Sequence, residues 1–300
     1  MSHYYILVSN LKIEGANAAS SNITVGFPAI TAWMGMAHAW ERKLWQMVPD
    51  IIPSVFEAVG ISCRKFNLQT YKDKTSWIAT IPNRRKPMEY RNSKYSHAAI
   101  IDEPKADMTV NLILSLKDYE YQNYKDIVEN LPDAIAQSRA VGGYVISTPD
   151  ILFMDVENDE DLKEMNRCFI AKMMPGFALI NRPDLLEEDS SLDRMLDILS
   201  VQTSQITDED GNTYMTPPIR NTSGWIVPIV TGFRRLNEPI KSIKNERAAR
   251  FKHCFVEPAI SLGEFKMVNQ IKDIRHIFWY YSHTDFKYHC WNEFYDKGRI

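Results

Sequence analysis

The chain has 300 residues, 45% apolar and 11% aromatic, with a net charge of -3, enough to bury one large core or two smaller ones. Its four cysteines (Cys63, Cys168, Cys254, Cys290) are widely spaced without a C-x-x-C pair, which argues against a zinc ribbon, a redox dithiol and a disulfide scaffold. A basic-then-apolar leader, a lipidation signature and an apolar run of the roughly 20 residues a membrane helix needs are all missing, so a cytoplasmic protein without membrane contact is expected.

The first element is a strand over Tyr4 to Ile13, apolar on both faces. Gly15 to Asn22 is small and polar. Its Asn and Ser side chains compete for backbone hydrogen bonds, so an irregular loop follows. After Gly26-Phe27-Pro28 a helix is predicted, because Trp33, Ala37, Trp40, Leu44 and Met47 recur at spacings of four and three; His38 and Arg42 project from its other side. A second strand fits Val59 to Thr70, with a bulge at Arg64-Lys65 where the alternation changes phase. The clearest strand is Met108 to Leu116, where Met108, Val110, Leu112, Leu114 and Leu116 alternate with smaller polar residues.

Between these strands positive charge is concentrated. From Ile61 to Ile100 nine Lys/Arg stand against two acids, interleaved with Tyr71, Trp77, Tyr90 and Tyr95. Cations neutralise phosphates and rings stack on bases, so this insertion at about 66–105 reads as a long basic hairpin, a thumb, for nucleic acid. Arg84, Arg85, Lys86, Arg91 and Lys94 are its candidate phosphate contacts.

A helix carrying Ile127, Leu131 and Ile135 comes next, either kinked by Pro132 or starting there behind an Asn130 cap. Arg139 ends it, and Gly142-Gly143 leads into a fourth strand at Tyr144 to Ser147. Strand, helix, strand, strand, helix, strand is the order of a ferredoxin-like, RNA-recognition-motif-like domain over 1–150. The strand Met108 to Leu116 offers no stacking ring, so RNA is expected on loops and thumb and not on the sheet face. The remainder, 151–300, is a C-terminal α/β lobe packed on the first. Its helices fall around Asp161 to Met173 and Leu185 to Leu199, and its apolar segments at Gly176 to Ile180 and Gly224 to Val230. The fold class is α+β.

Charge is segregated further along. Asp150 to Thr216 holds sixteen acids and five bases, a face for solvent or a basic protein neighbour. Thr231 to Val256 is basic again, and its Arg247 and Arg250 suit either RNA or the acidic surface of a partner. Trp45, Phe233 and Trp279 are candidates for cover by a partner.

Motifs for chemistry are poor: no Walker loop, G-x-G-x-x-G or G-x-S-x-G is present. Asp155, Glu157 and Asp159 begin like a calcium loop, but Glu160 and Asn166 stand where it requires Gly and Glu. His253, His276, His283 and His289 match no standard zinc spacing, so no metal or other cofactor is expected.

Blocks spread along the whole chain carry a family resemblance. The run Ala16-Asn17-Ala18-Ala19-Ser20-Ser21, then Gly26-Phe27-Pro28 and His38-Ala39, is similar to the N-terminus of a RAMP-superfamily subunit of the type I-F CRISPR surveillance (Csy) complex. Arg139-Ala140-Val141-Gly142-Gly143, Met174-Pro175-Gly176-Phe177-Ala178-Leu179, Gly224-Trp225-Ile226-Val227-Pro228, Phe255-Val256-Glu257, Leu262-Gly263-Glu264-Phe265 and Trp279-Tyr280-Tyr281 agree in order along the chain. The resemblance implies a subunit that pairs with the large subunit, grips the 5′ handle of the CRISPR RNA and caps the guide with its thumb against the first backbone subunit. It further implies binding without chemistry of its own, and target DNA recognition through the assembled complex.

Candidate RNA contacts outside the thumb are Asn17, Ser20 and Ser21, which can donate to phosphate or read base edges, with Arg139 for charge and Gly142 and Gly143 for close backbone approach. Ordinary turn chemistry for the loop and a helix C-cap for the glycines are the plain alternatives. His38 and Arg42 complete the set, against an exposed helix face; as a general acid or base, His38 would instead belong to a metal-independent endoribonuclease processing repeat RNA.

Overall fold

The computed structural model describes residues 3–48, 51–52, 54–72, 77–79, 89–91, 93–96, 103–118, 124–186, 189–207, 213–216, 218–220, 222–240 and 251–292. Strand β1 (His3–Asn17) leads to α1 (Ile30–Met47) and β2 (Phe56–Leu68). Four short strands follow, β3 (Thr70–Lys72), β4 (Trp77–Ala79), β5 (Glu89–Arg91) and β6 (Lys94–Ser96), before β7 (Lys105–Leu116). Helix α2 (Tyr124–Ala136), strands β8 (Arg139–Ala140), β9 (Gly143–Val145) and β10 (Asp150–Val156), and helix α3 (Asp159–Met173) come next. After β11 (Phe177–Asn181) and α4 (Leu192–Leu199) the chain runs through β12 (Gln205–Thr207), β13 (Thr213–Met215), β14 (Ile226–Arg235), β15 (Val256–Met267), β16 (Phe278–His283) and β17 (Lys287–Asn292).

The α+β class is the one observed, with one 11-stranded sheet of antiparallel pairs drawing strands from both halves of the chain. At one end β10, β1, β7 and β2 lie side by side in that order. Strand β1 is apolar on both sides because both are covered. Ile6, Val8, Leu11 and Ile13 join the core under α1 and α2, while Tyr5 and Leu7 join Phe169 and Met173 of α3. The change of face between Val8 and Leu11 coincides with a register shift against β7, where Asn10 takes a left-handed φ of 58°. In β2 the shift between Cys63 and Lys65 is the expected bulge.

The outer edge of β2 is used twice. Phe278 and Trp279 pair with Gly60 and Val59, and Phe177 and Ala178 pair with Cys63 and Ser62. The pairings β11-β15-β14-β17-β16-β2 therefore return to β11 and close a ring. Trp279 is wholly buried in the core and donates from Nε1 to the Leu179 carbonyl at 2.9 Å, so the fold, not a partner, covers it. Trp45, in contrast, is 44% exposed.

Three local readings are corrected. The expected strand at Tyr144 to Ser147 is only β9, paired to the far end of β1, while β10 supplies the main edge strand beside Tyr4 to Ser9. Pro132 lies inside α2, and Asn130 donates to the Asp126 carbonyl one turn back instead of capping a new helix. The Leu185 to Leu199 helix is split into a short 3-10 turn at Pro183–Leu186 and α4, whose start is capped by the Ser191 hydroxyl accepting from Arg194 N.

Candidate nucleic-acid interface

The N-terminal loop is built by its own polar groups. Asn17 Oδ1 accepts from Ala19 N, and Asn17 Nδ2 donates to the Ala19 carbonyl, an Asx turn at the end of β1. The Ser20 hydroxyl donates to the Phe27 carbonyl at 2.7 Å, and Ser21 Oγ lies 2.7 Å from Thr24 Oγ1 while accepting from the N–H groups of Ile23 and Thr24. These bonds fix the loop against the start of α1. Helix α1 opens at Ala29 without a side-chain cap, and of its first-turn N–H groups Ala32 N donates to the Ala29 carbonyl. One face of α1, bearing Trp33, Trp40 and Leu44, is buried; Ala32, Gly35 and Ala39 form a shallow face elsewhere on it.

A two-residue hairpin faces that shallow side. Strands β8 and β9 pair Arg139 with Tyr144 and Ala140 with Gly143, leaving Val141 and Gly142 as the loop. Both loop residues have positive φ, 43° and 87°, the pattern of a type I′ turn. For Val141, a β-branched residue, that conformation is strained. The strain is offset where Asn17 N donates to the Val141 carbonyl at 3.0 Å, tying the loop to β1. Gly143 has no room for a side chain, since a Cβ would stand 2.6 Å from the Glu14 carbonyl oxygen and 2.7 Å from Ala16 N. The glycine pair is thus not the helix C-cap: α2 ends at Ala136, Gly142 turns the hairpin, and Gly143 lets it press against β1.

Between hairpin, loop and helix lies a cavity of about 500 Å³. Asn17, Ser20, Arg139 and Gly142 line it, four residues singled out from the sequence, in two pairs separated by more than a hundred positions. Pro28, Ala29, Thr31, Ala32, Gly35, Met36 and Ala39 form the α1 wall, and Phe233 of β14, half-buried, closes one side from the C-terminal half. The positive end of the α1 dipole and the Arg139 guanidinium give this cavity a preference for anions.

Arg139 is held by a ring. Its Nη2 donates to Tyr144 Oη at 3.0 Å and its guanidinium carbon sits 4.9 Å from the centre of the Tyr144 ring. Tyr144 carried no sequence signal as a site residue, and Phe233 only that of a ring for a partner to cover; the hairpin register, which sets Tyr144 opposite Arg139, could have marked the first.

The remaining candidates lie elsewhere. Ser21, His38, Arg42 and Lys94 do not line the cavity. His38 Nδ1 bonds Glu41 Oε2 at 2.8 Å and its ring meets Tyr281 edge-on at 5.1 Å, tying α1 to β16. Arg42 is exposed on α1. In the insertion, β3 pairs with β4 and β5 with β6, Arg91 opposing Lys94 in the backbone ladder, and Lys94 and Tyr95 are exposed. Arg84, Arg85, Lys86, Arg247 and Arg250 lie outside the described residues. Among the described residues no group of three or more His, Cys, Asp or Glu could hold a metal ion, and no helix is long and apolar enough to cross a membrane. The acids around Asp155 serve α3: Asn158 and Asp161 form a reciprocal capping box, and Asp161 Oδ2 also accepts from Glu157 N.

A family profile described as CRISPR-associated protein (Cas_Csy2) matches residues 6–290, from β1 into β17. The chain is also 26% identical over 304 residues to the CRISPR-associated protein Csy2 of Pseudomonas aeruginosa (strain UCBPP-PA14), an alignment covering 92% of this chain and 90% of the relative. The match takes in the loop at Asn17, the hairpin at Arg139 and the β14 strand with Phe233, so every wall of the cavity falls within it. The chain therefore belongs to the CRISPR-associated Csy2 family, whose members are subunits of the type I-F Csy complex.

Proposed function

We propose that this subunit binds CRISPR RNA without cutting it, holding the 5′ handle together with the large subunit of the complex and capping the guide with its basic thumb against the first backbone subunit. Target DNA recognition then follows through the assembled cytoplasmic particle. The observation that carries this reading is the convergence of Asn17, Ser20, Arg139 and Gly142 on one cavity at the uncapped start of α1. A guanidinium, helix N–H groups and a glycine turn are a set that receives a sugar-phosphate backbone. The neighbour order β10-β1-β7-β2, with α1 and α2 packed on one face, supports a ferredoxin-like core as the scaffold.

The thumb enters this reading through composition and placement. Strands β2 and β7 pair directly with each other, and Arg84, Arg85, Lys86, Arg91 and Lys94 fall in the stretch of sequence between them. The test is RNA retention by the reconstituted complex. Arg139→Ala with Asn17→Ala is expected to weaken binding of a CRISPR RNA and to lower the salt dependence by about 0.7 in log–log slope, the value for one phosphate no longer neutralised on a single strand. Unchanged affinity and slope would remove the cavity from the RNA path. Incubation with repeat RNA in chelator tests the absence of chemistry: specific cleavage abolished by His38→Ala would replace the binding reading with that of a ribonuclease.

A further inference from the structure

Among the described residues, three half-buried arginines are already neutralised. Arg182 is gripped by Asp184 and Glu264, Arg235 by Glu238 and Arg275 by Asp273, all at 2.6–2.9 Å. Arg139 differs. Among the described residues its partner is Tyr144, which takes one N–H through its hydroxyl oxygen and lies close to the guanidinium with its ring, while contributing no charge. A carboxylate in that position would cancel the positive potential at the cavity; a phenol orients the cation and leaves its charge and its other donors for an external anion.

The geometry around the pair favours orientation over chance contact. Arg139 and Tyr144 are directly opposed in a hairpin with a two-residue loop, its loop tied to Asn17 and its return strand pressed onto Glu14 and Ala16 through Gly143. Tyr144 is 48% exposed, so its ring is not held in place by burial in the core.

We propose that Tyr144 is a positioning residue for RNA binding, presenting the Arg139 guanidinium, which has no carboxylate partner among the described residues, to a phosphate at the cavity mouth. This rests on the RNA-binding reading of the cavity. The two are separated by measuring CRISPR RNA binding to the reconstituted complex across a salt series for Tyr144→Ala, Tyr144→Phe, Arg139→Ala and the double variant. Tyr144→Ala is expected to weaken binding about five- to tenfold, because the cation then has neither the ring nor the hydroxyl to orient it. In the Arg139→Ala background the same change is expected to do nothing further, because Tyr144 acts through the arginine. Tyr144→Phe, which keeps the ring and the hairpin, is expected to bind better than Tyr144→Ala. Equal losses from Tyr144→Ala with and without Arg139, or a Phe variant no better than Ala, would overturn the positioning role while leaving the cavity in place. No effect of Arg139→Ala would overturn the underlying reading as well.

Discussion

Glu41 gives the sharpest test of how the core is held. It is 2% exposed in the middle of α1, and both of its oxygens are engaged: Oε1 accepts from Phe56 N at 2.7 Å and Oε2 meets His38 Nδ1 at 2.8 Å. Phe56 begins β2 and is itself buried, so its N–H has no access to water if the carboxylate is removed. Glu41→Ala strands that donor at about 1–3 kcal/mol and forfeits the charge-assisted bond to His38, and the void left behind adds to both. A loss of about 3–5 kcal/mol follows, the range for breaking a buried pair. Glu41→Gln keeps an acceptor for Phe56 N, and its amide can donate to the other His38 tautomer, so about 1 kcal/mol is expected. Equilibrium urea unfolding reports the difference as a shift in midpoint at constant slope. A Glu41→Ala protein within about 1 kcal/mol of the parent, or a Gln variant as damaged as the Ala variant, would refute the assignment of Glu41 as the link between α1 and β2.

Trp279→Phe is expected to cost about 2 kcal/mol in the same assay, because the Leu179 carbonyl loses its indole donor inside the closed ring and some packing goes with it. Gly143→Ala is expected to destabilise the chain by about 1–3 kcal/mol and to weaken RNA binding together, since the added methyl must push the hairpin off Glu14 and Ala16; normal RNA binding with normal stability would contradict the close packing of that strand. Burial pushes the thiols of Cys63 and Cys290 up to about 12, so at about pH 8 a thiol reagent should label exposed Cys254 rapidly and leave these two unreacted until the chain unfolds, as mass spectrometry of the labelled peptides would record. The same shift gives a pH dependence. The unfolded thiols lose protons above about 9 while the folded ones keep theirs, so stability should fall as pH rises from about 9 towards 12.

What the sequence made legible depended on how local its cause was. The period-2 pattern of Met108 to Leu116, the Trp33-Ala37-Trp40-Leu44 stripe and the phase change at Arg64-Lys65 each state their structure within a few residues, and β7, α1 and the β2 bulge match them. Strand β10 left no such mark, because Ile151 to Met154 is an apolar run without alternation, its sides covered by different parts of the body. The double use of the β2 edge was invisible for a different reason: Ser62 and Val59 carry no mark of the strands that reach them from 178 and 279. Loop and hairpin residues of the site could be named from turn chemistry and charge. Phe233 could not, because it enters the cavity from a strand whose place in the sheet is set by long-range pairing.

That closed ring has a consequence for how the polypeptide comes into being. Residue 60 leaves the ribosome early, yet the strand that satisfies it begins at residue 278, so an unsatisfied backbone edge persists through nearly all of translation. Such an edge invites pairing with any neighbouring nascent chain, and the long interval before closure is when this subunit has most need of a chaperone or of its assembly partner.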